Sequence, residues 1–316
     1  LVSRWKVELE NRALEPLGRN LRLFLALSRT PHALLDLATP ALSALVWLGT
    51  FPPTWTVVLG LVTAFAGYTA VYALNDLIDL KSDRERLGSG PSMGSRSDVD
   101  ALFVRHPLAQ GLLPLKHGLL WALGWSAVAL GGALLLRPVC AGIFLAACFL
   151  EAIYCRLFQV SSLRSLVSGG VKSSGAVAAI FAVDPHPDPL FLVHLLLWLC
   201  LWEIGGQNIP NDWADLEEDL RLRGKTIPVA LGKEKTAKLA LGCLTLATIL
   251  GAMLPITSKA ALGAVYFPAS VASGTICLLF PGRMLARERT PAAAGTLFNR
   301  ASYYPLCMLA SVLMAI

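Results

Sequence analysis

Two runs of carboxylates recur at matched spacing. The first is NDLIDLKSD at Asn75–Asp83; the second closes QNIPNDWADLEED and runs from Asp212 to Asp219. In a helix turning about 100° per residue, Asn75, Asp76, Asp79 and Asp83 fall within about a quarter turn of one face. Asn208, Asn211, Asp212, Asp215 and Asp219 share a face in the same way, with Glu218 near its edge and Glu217 elsewhere. Two facing rows of carboxylates repel unless cations lie between them. Hard oxygen donors without histidine or thiolate suit Mg²⁺, which prefers a few carboxylates plus substrate phosphates to an all-protein cage. The pattern therefore predicts Mg²⁺ held by Asp76, Asp79, Asp83, Asp212, Asp215 and Asp219, with a diphosphate as the missing ligand. One aspartate-rich helix end is as readily a solvated boundary. Two D-x-x-D-x-x-x-D stripes, each followed by a basic loop, favour a joint site.

The chain around these runs is strongly apolar: 55% of its 316 residues are hydrophobic and 15% charged, with a mean hydropathy of +0.60. That composition predicts an all-α, polytopic membrane protein. With roughly 20 residues per span, about nine transmembrane helices are expected, bundled around a central cavity. They are Leu34–Thr50, Trp55–Leu80, Gly118–Leu136, Val139–Tyr154, Leu163–Val183, Leu190–Asp212, Ala237–Ile256, Ala260–Phe280 and Ala301–Ile316. The domain reading is an amphipathic interfacial segment over 1–31, without a cleavable signal pattern, followed by one transmembrane domain over 32–316. Two long polar connections, 82–116 and 212–235, leave the same side, and GSGPSMGSRSD at Gly88–Asp98 has a mobile composition.

Basic residues gather in the N-terminal segment, after spans two, four and six, and after span eight, whereas the opposite connections offer little beyond Arg137 and Lys259. This asymmetry predicts a cytoplasmic N-terminus and cytoplasmic site loops, in a plasma or inner organelle membrane. The same rule accounts for the net charge of +6, so no nucleic-acid partner is called for. The seven cysteines form no CxxC pair and read as packing residues.

At the two stripes the chain resembles the UbiA superfamily of intramembrane prenyltransferases. Asn75–Asp83 is similar to that family's N-D-x-x-D-x-x-x-D, and Asp212–Asp219 to its D-x-x-D-x-x-x-D. GKTIPVALG at Gly224–Gly232 resembles the segment after the second motif, and RHPLAQG at Arg105–Gly111 the family's R-P-x-x-x-G. The resemblance covers nearly the whole chain. It implies an enzyme that binds an isoprenyl diphosphate through Mg²⁺ and passes the prenyl group to an acceptor dissolved in membrane lipid. Carried onto this sequence, it adds Arg29, Arg84, Arg105 and Lys225 as diphosphate partners, with Asn75, Asn208 and Asn211 in the substrate-binding set. Tyr154, near Arg156 and Arg164, resembles the family's tyrosine and basic residue after span four. His106 departs from the pattern by interrupting the Arg-Pro pair, and about twenty residues separate Asp83 from Arg105, which leaves the acceptor's identity open.

An allylic cation must be shielded from water, which an apolar bundle does. Tyr72, Tyr154, Trp202 and Trp213 could face it, although packing suffices for any one of them. After transfer a base takes a proton from the acceptor. Asp76, Asp79 and Asp215 are the catalytic candidates, with nothing local to choose among the motif carboxylates. Lys172 lies within a span, where an unpaired ammonium is costly, so either it faces the polar cavity, with a diphosphate or a carboxylate as its partner, or the span begins later than drawn. Gly205 and Gly206 suit close helix contact, and Pro210 a kink. The leading reading is a Mg²⁺-dependent transferase acting on an isoprenyl diphosphate and a lipophilic acceptor, aromatic or quinone-precursor in type. A terpene cyclase or a phosphoribosyl-type transferase would keep the aspartate motifs. A cation transporter is the reading from another class, and it requires polar groups through the midplane.

Overall fold

The computed structural model describes residues 20–88 and 103–316. Most of the expected interfacial segment 1–31 lies outside these residues, and so does Gly88–Asp98 from residue 89 onward. Among the described residues the fold is helical and contains no strand.

After a helical stretch over 20–27 come α1 (Thr30–Asp36), α2 (Ala38–Leu48), α3 (Thr54–Ile78), α4 (Leu80–Gly88), α5 (Leu115–Leu136), α6 (Pro138–Arg156) and α7 (Arg164–Val183). They are followed by α8 (Pro189–Trp202), α9 (Ile209–Ala214), α10 (Leu216–Arg221), α11 (Ile227–Thr257), α12 (Tyr266–Gly274), α13 (Phe280–Glu288), α14 (Pro291–Ser302) and α15 (Tyr304–Leu313). Among the described residues, eight stretches are long and apolar enough to cross a membrane: Thr30–Leu48, Thr54–Ile78, Leu115–Leu136, Pro138–Gln159, Arg164–Val183, Pro189–Ala214, Ile227–Thr257 and Tyr266–Glu288. Side chains such as Phe149, Leu190, Phe267 and Phe280 stand on the outer surface, more than 60% exposed. In water that surface would be a liability; in a bilayer it meets lipid.

Prolines explain where the observed helices depart from the expected spans. The eighth was expected to stop at Phe280, before Pro281. Instead it begins at Tyr266 and runs to Glu288, because a π-helical turn at Thr275–Leu279 precedes Pro281. A wider turn spares the pyrrolidine ring its clash with the carbonyl four residues back. The last expected span, Ala301–Ile316, is instead α14 and α15, parted at Tyr303. Pro305 has no N–H for the Ala301 carbonyl, and the Trp202 indole donates to that oxygen at 3.0 Å.

The apolar core lies among α8, α11 and the C-terminal helices, where Trp198, Trp202, Trp213, Tyr266 and Tyr304 are fully buried. Trp213 Nε1 is buried without a partner among the described residues, but the polar atoms of the other four are bonded locally: Trp198 Nε1 donates to Tyr304 Oη at 3.1 Å and Tyr266 Oη to the Gly251 carbonyl at 2.7 Å. Such pairing lets large aromatics be buried without an orphaned donor. Gly205 and Gly206 serve the same packing, since a Cβ on either would come within 2.8 Å of Cys243 or Ala301 Cβ.

Candidate active site

Both aspartate motifs break their helix at the same place. In the first, α3 ends at Ile78, Asp79 adopts φ −83° and ψ 1°, and α4 starts at Leu80. In the second, α9 ends at Ala214, Asp215 adopts φ −97° and ψ 10°, and α10 starts at Leu216. This sparsely populated bridge conformation is common among site residues. Helical bonding resumes at once, with Asp83 N donating to Asp79 O and Asp219 N to Asp215 O, both at 2.9 Å. Upstream of the second motif, Glu203–Asn208 forms a π-helical turn in which Ile209 N reaches back to the Ile204 carbonyl, and Pro210 follows.

The two motifs face one cavity of about 760 Å³. Asp76, Asp79, Asp83, Asp212, Asp215 and Asp219 all line it, together with Asn75, Asn208, Asn211, Arg29, Arg105, Tyr154 and Lys172. The chain's own cations lie between the rows. Arg86 reaches two acids of the second motif, 3.8 Å from Asp215 and 3.3 Å from Asp219. Arg105 Nη2 donates to Asp215 at 3.1 Å. On the first motif, His106 Nδ1 lies 2.9 Å from Asp83 Oδ2 and 3.3 Å from Asp76 Oδ1, while Arg29 stands 4.0 Å from Asp76. Arg29 and His106 both hold a left-handed backbone, with φ of 43° and 50°. For a residue with a Cβ that costs about 1–3 kcal/mol, offset here by delivering a cation to a buried acid.

Two predicted diphosphate partners lie elsewhere. Arg84 is exposed on the face that carries Leu77 and Lys81; Arg86, three residues past Asp83 and so on the aspartate face, is the arginine in the cavity. Lys225 is exposed beyond α10 and is absent from the cavity wall. Trp202 and Trp213 are core residues that do not line the cavity, whereas Tyr72 and Tyr154 do.

Further groups join the site without any local motif. Glu151 accepts from Asn75 Nδ2 at 2.6 Å, Arg164 donates to the Tyr154 hydroxyl, and Asn208 Nδ2 reaches that hydroxyl at 3.3 Å. Lys172 has a carboxylate partner: its Nζ lies 2.6 Å from Asp36 and 2.7 Å from Tyr72 Oη, and that hydroxyl also donates to Asp36 at 2.5 Å. Asp36, Glu151 and Glu203 each carried a signal of their own, a charge within an apolar run.

The electrostatics follow from burial. Asp219 is pushed up to about 7 by burial and by Asp212 and Asp215, against the pull of Arg86 and Arg164. Asp79 is raised by burial and then by Asp83. Burial works against a charged His106, but its contacts with Asp76 and Asp83 outweigh it and raise the imidazole.

The donors fit a hard divalent cation. Among the described residues, nine carboxyl side chains line the cavity against five permanent cations, Arg29, Arg86, Arg105, Arg164 and Lys172. Ligand atoms of Asp76, Asp83 and His106 already lie within 4.8 Å of one another. Beyond the polar end the wall turns apolar, with Val57, Gly60, Ala64, Ile143, Phe144 and Ala178. Thr56 and Asp79 both belong to it, so by a rise of 1.5 Å per residue it follows α3 for roughly 35 Å.

A model of the UbiA prenyltransferase family matches residues 37–303. Two archaeal relatives named digeranylgeranylglyceryl phosphate synthase are similar in sequence. The Thermococcus sibiricus protein is 24% identical over 87% of this chain and 90% of its own; the Thermococcus gammatolerans protein is 26% identical over 78% and 82%. Among solved structures, the apo UbiA homologue from Aeropyrum pernix shares the fold at a TM-score of 0.73 and 18% identity, covering 90% of this chain and 97% of that one. A UbiA homologue from Archaeoglobus fulgidus bound to DMAPP and Mg²⁺ matches at 0.64 and 16%, covering 91% and 99%.

Proposed function

The chain belongs to the UbiA prenyltransferase family, and from that premise we propose that it moves an isoprenyl group from its diphosphate to a lipophilic acceptor, with Mg²⁺ held by the two aspartate motifs. The prenyltransferase is a multi-pass integral membrane protein. One observation carries the proposal: both acidic rows, the second paired with Arg86 and Arg105 and the first with His106 and Arg29, close the polar end of a cavity that continues as an apolar chamber. Diphosphate chemistry and a hydrocarbon tail are thereby served by one continuous space.

Mg²⁺, once bound, neutralises charge on the diphosphate and eases its departure. Asp76, Asp83, Asp212 and Asp219 would hold it, with Asp79 and Asp215 at the helix breaks. Arg86, Arg105 and the Tyr154–Arg164 pair offer donors to the leaving diphosphate as its charge grows, the kind of preorganised stabilisation that acts most strongly away from bulk water. As the allylic C–O bond breaks, its electron pair leaves on the diphosphate oxygen. The apolar chamber keeps water from the resulting carbocation, and the Tyr72 ring lies beside the same space. The charge of the basic loops supports a cytoplasmic location for this end of the protein and for its N-terminus.

An acceptor of the aromatic or quinone-precursor class suits the apolar chamber. A second reading, a glyceryl lipid acceptor, is supported by the names of the two Thermococcus relatives. Incubating the purified protein with labelled geranyl, farnesyl and geranylgeranyl diphosphates, Mg²⁺, and quinone precursors or alkyl glycerols tests both. An alkylated acceptor is the expected product. Cyclised hydrocarbon formed without an acceptor would contradict prenyl transfer.

A further inference from the structure

One turn and more inside the aspartate rows, a second polar cluster faces the same cavity. Tyr72 lies four residues before Asp76, and Glu203 nine before Asp212, so the cluster sits roughly 6–13 Å deeper by helical rise. Its centre is the Lys172–Asp36 ion pair, with Tyr72 bridging. Around it stand three cavity-lining residues, each with a buried side-chain atom that has no hydrogen-bond partner among the described residues: Glu203 Oε2, His32 Nδ1 and Tyr68 Oη. Glu203 and His32 are only 4% and 5% exposed. All three residues lie within electrostatic reach of Asp36, and the first two of Lys172 as well.

Their chemistry limits what can occupy the space. The nearby donors are already bonded within the protein: Lys172 and Tyr72 to Asp36, and Ser168 Oγ to Glu203 Oε1 at 2.6 Å. What the wall still offers is a carboxylate oxygen that only accepts, with an imidazole nitrogen and a hydroxyl that can each accept or donate. An anionic head would meet the Glu203 carboxylate and be repelled. A neutral hydroxyl matches the set, because it donates one proton and accepts another. A diphosphate gripped by the aspartates places its allylic carbon on the membrane side of them, toward this cluster.

We propose that Glu203, His32 and Tyr68 seat the reacting head of the acceptor, and that this head is a neutral hydroxyl, of an alcohol or a phenol, whose proton passes to Glu203. This rests on the prenyl-transfer reading above. As the C–O bond to diphosphate breaks, its electron pair leaves with the diphosphate. The allylic carbon bonds to the acceptor, at oxygen for an alcohol and at oxygen or ring carbon for a phenol. The hydroxyl proton moves to the Glu203 carboxylate; for ring attack the dienone so formed then shifts its ring proton to the ring oxygen, which restores the aromatic phenol with one proton released in all.

The test uses the full chain in lipid nanodiscs with geranylgeranyl diphosphate and Mg²⁺. The acceptors are dodecanol, 4-dodecylphenol, the methyl ethers of both, and dodecanoic acid. Prenylation of the alcohol or the phenol is expected, and which of the two reacts identifies the source; the ethers and the acid are expected to stay unreacted. Glu203→Gln should lower product formation about 100-fold or more, the scale of a lost general base, while Mg²⁺-dependent donor binding is kept. Tyr68→Phe and Ser168→Ala, which keep the scaffold, should each cost up to about tenfold, Tyr68→Phe chiefly through KM for the acceptor. Product from Glu203→Gln within about threefold of wild type, a difference no larger than a weak hydrogen bond gives, would overturn the proposal. So would tail-matched carboxylate reacting as well as the hydroxyls, or neither hydroxyl reacting while donor is bound. Wild-type protein that binds no donor overturns the prenyl-transfer reading and this subsite with it.

Discussion

Arg84 and Arg86 differ by two positions and by their surroundings. Arg84 faces outward, whereas Arg86 pairs with two buried acids of the other motif. Exposed charges contribute little and buried charge-assisted bonds contribute more. Arg86→Ala should therefore lower kcat/KM by about 10–100-fold, on the scale of a lost transition-state donor. Arg84→Ala should stay near wild type; steady-state kinetics on both variants decides it. Asp219 supplies a second prediction. Its folded-state pKa of about 7 stands above the ordinary 3.8, so without metal the folded protein binds more protons than the unfolded chain between these values. Stability then falls as pH rises through that window, and the raised His106 has the same sign. Chelator-treated protein should melt at a lower temperature at pH 8 than at pH 5. Mg²⁺ should restore the loss at pH 8, and Asp219→Asn should flatten the profile. A melting temperature that rises with pH in the chelated protein would contradict this.

The two motif helices were legible because a 3.6-residue period turns spacing into a face: Asp76, Asp79 and Asp83 read as one stripe from sequence alone. The breaks at Asp79 and Asp215 were not, since bridge-region backbone leaves no composition signal. Nor was the role of His106, which reads as an interruption of an Arg-Pro pair and is found between Asp76 and Asp83. Asp36, Glu151 and Glu203 come from three separate helices and meet only in the folded bundle. Each was visible singly as an acid in an apolar run, the criterion that singled out Lys172, but no spacing links them. At this scale the close packing around the π-helical turn is testable. A Cβ at Gly206 would stand 2.8 Å from Ala301 Cβ, while one at Gly124 meets nothing within 4 Å. Gly206→Leu should cost about 1–3 kcal/mol through overpacking and lower the melting temperature in detergent; Gly124→Leu should not.

Across the whole molecule, the order of polar and apolar space along the cavity separates an enzyme from a pathway. Ionisable groups extend further into the bundle than the helix ends suggested, through Lys172, Asp36 and Glu203, and beyond them the wall is built of Val57, Gly60, Ala64 and Ala178. A hydrated cation meets no continuous ligand row there, whereas an isoprenyl tail meets hydrocarbon. Topology is a further prediction at this scale. Lys225 and Lys259 are both exposed, on loops at the two ends of α11. In a cysteine-free background with oriented vesicles, an impermeant maleimide should label Lys225→Cys only from the cytoplasmic side and Lys259→Cys only from the other. Labelling of both from one side would contradict the assigned orientation.

The central claim is that acids from two distant stretches of the chain jointly hold one diphosphate through Mg²⁺. It is tested most directly by equilibrium binding of labelled geranylgeranyl diphosphate to wild-type protein, Asp79→Ala and Asp215→Ala, each with Mg²⁺ and with chelator. Tight binding by wild type with Mg²⁺, weakened about 100-fold or more (≥ 2.7 kcal/mol) by chelator or by either single substitution, is the predicted result. Mg²⁺-dependent binding of undiminished strength in either variant would contradict it.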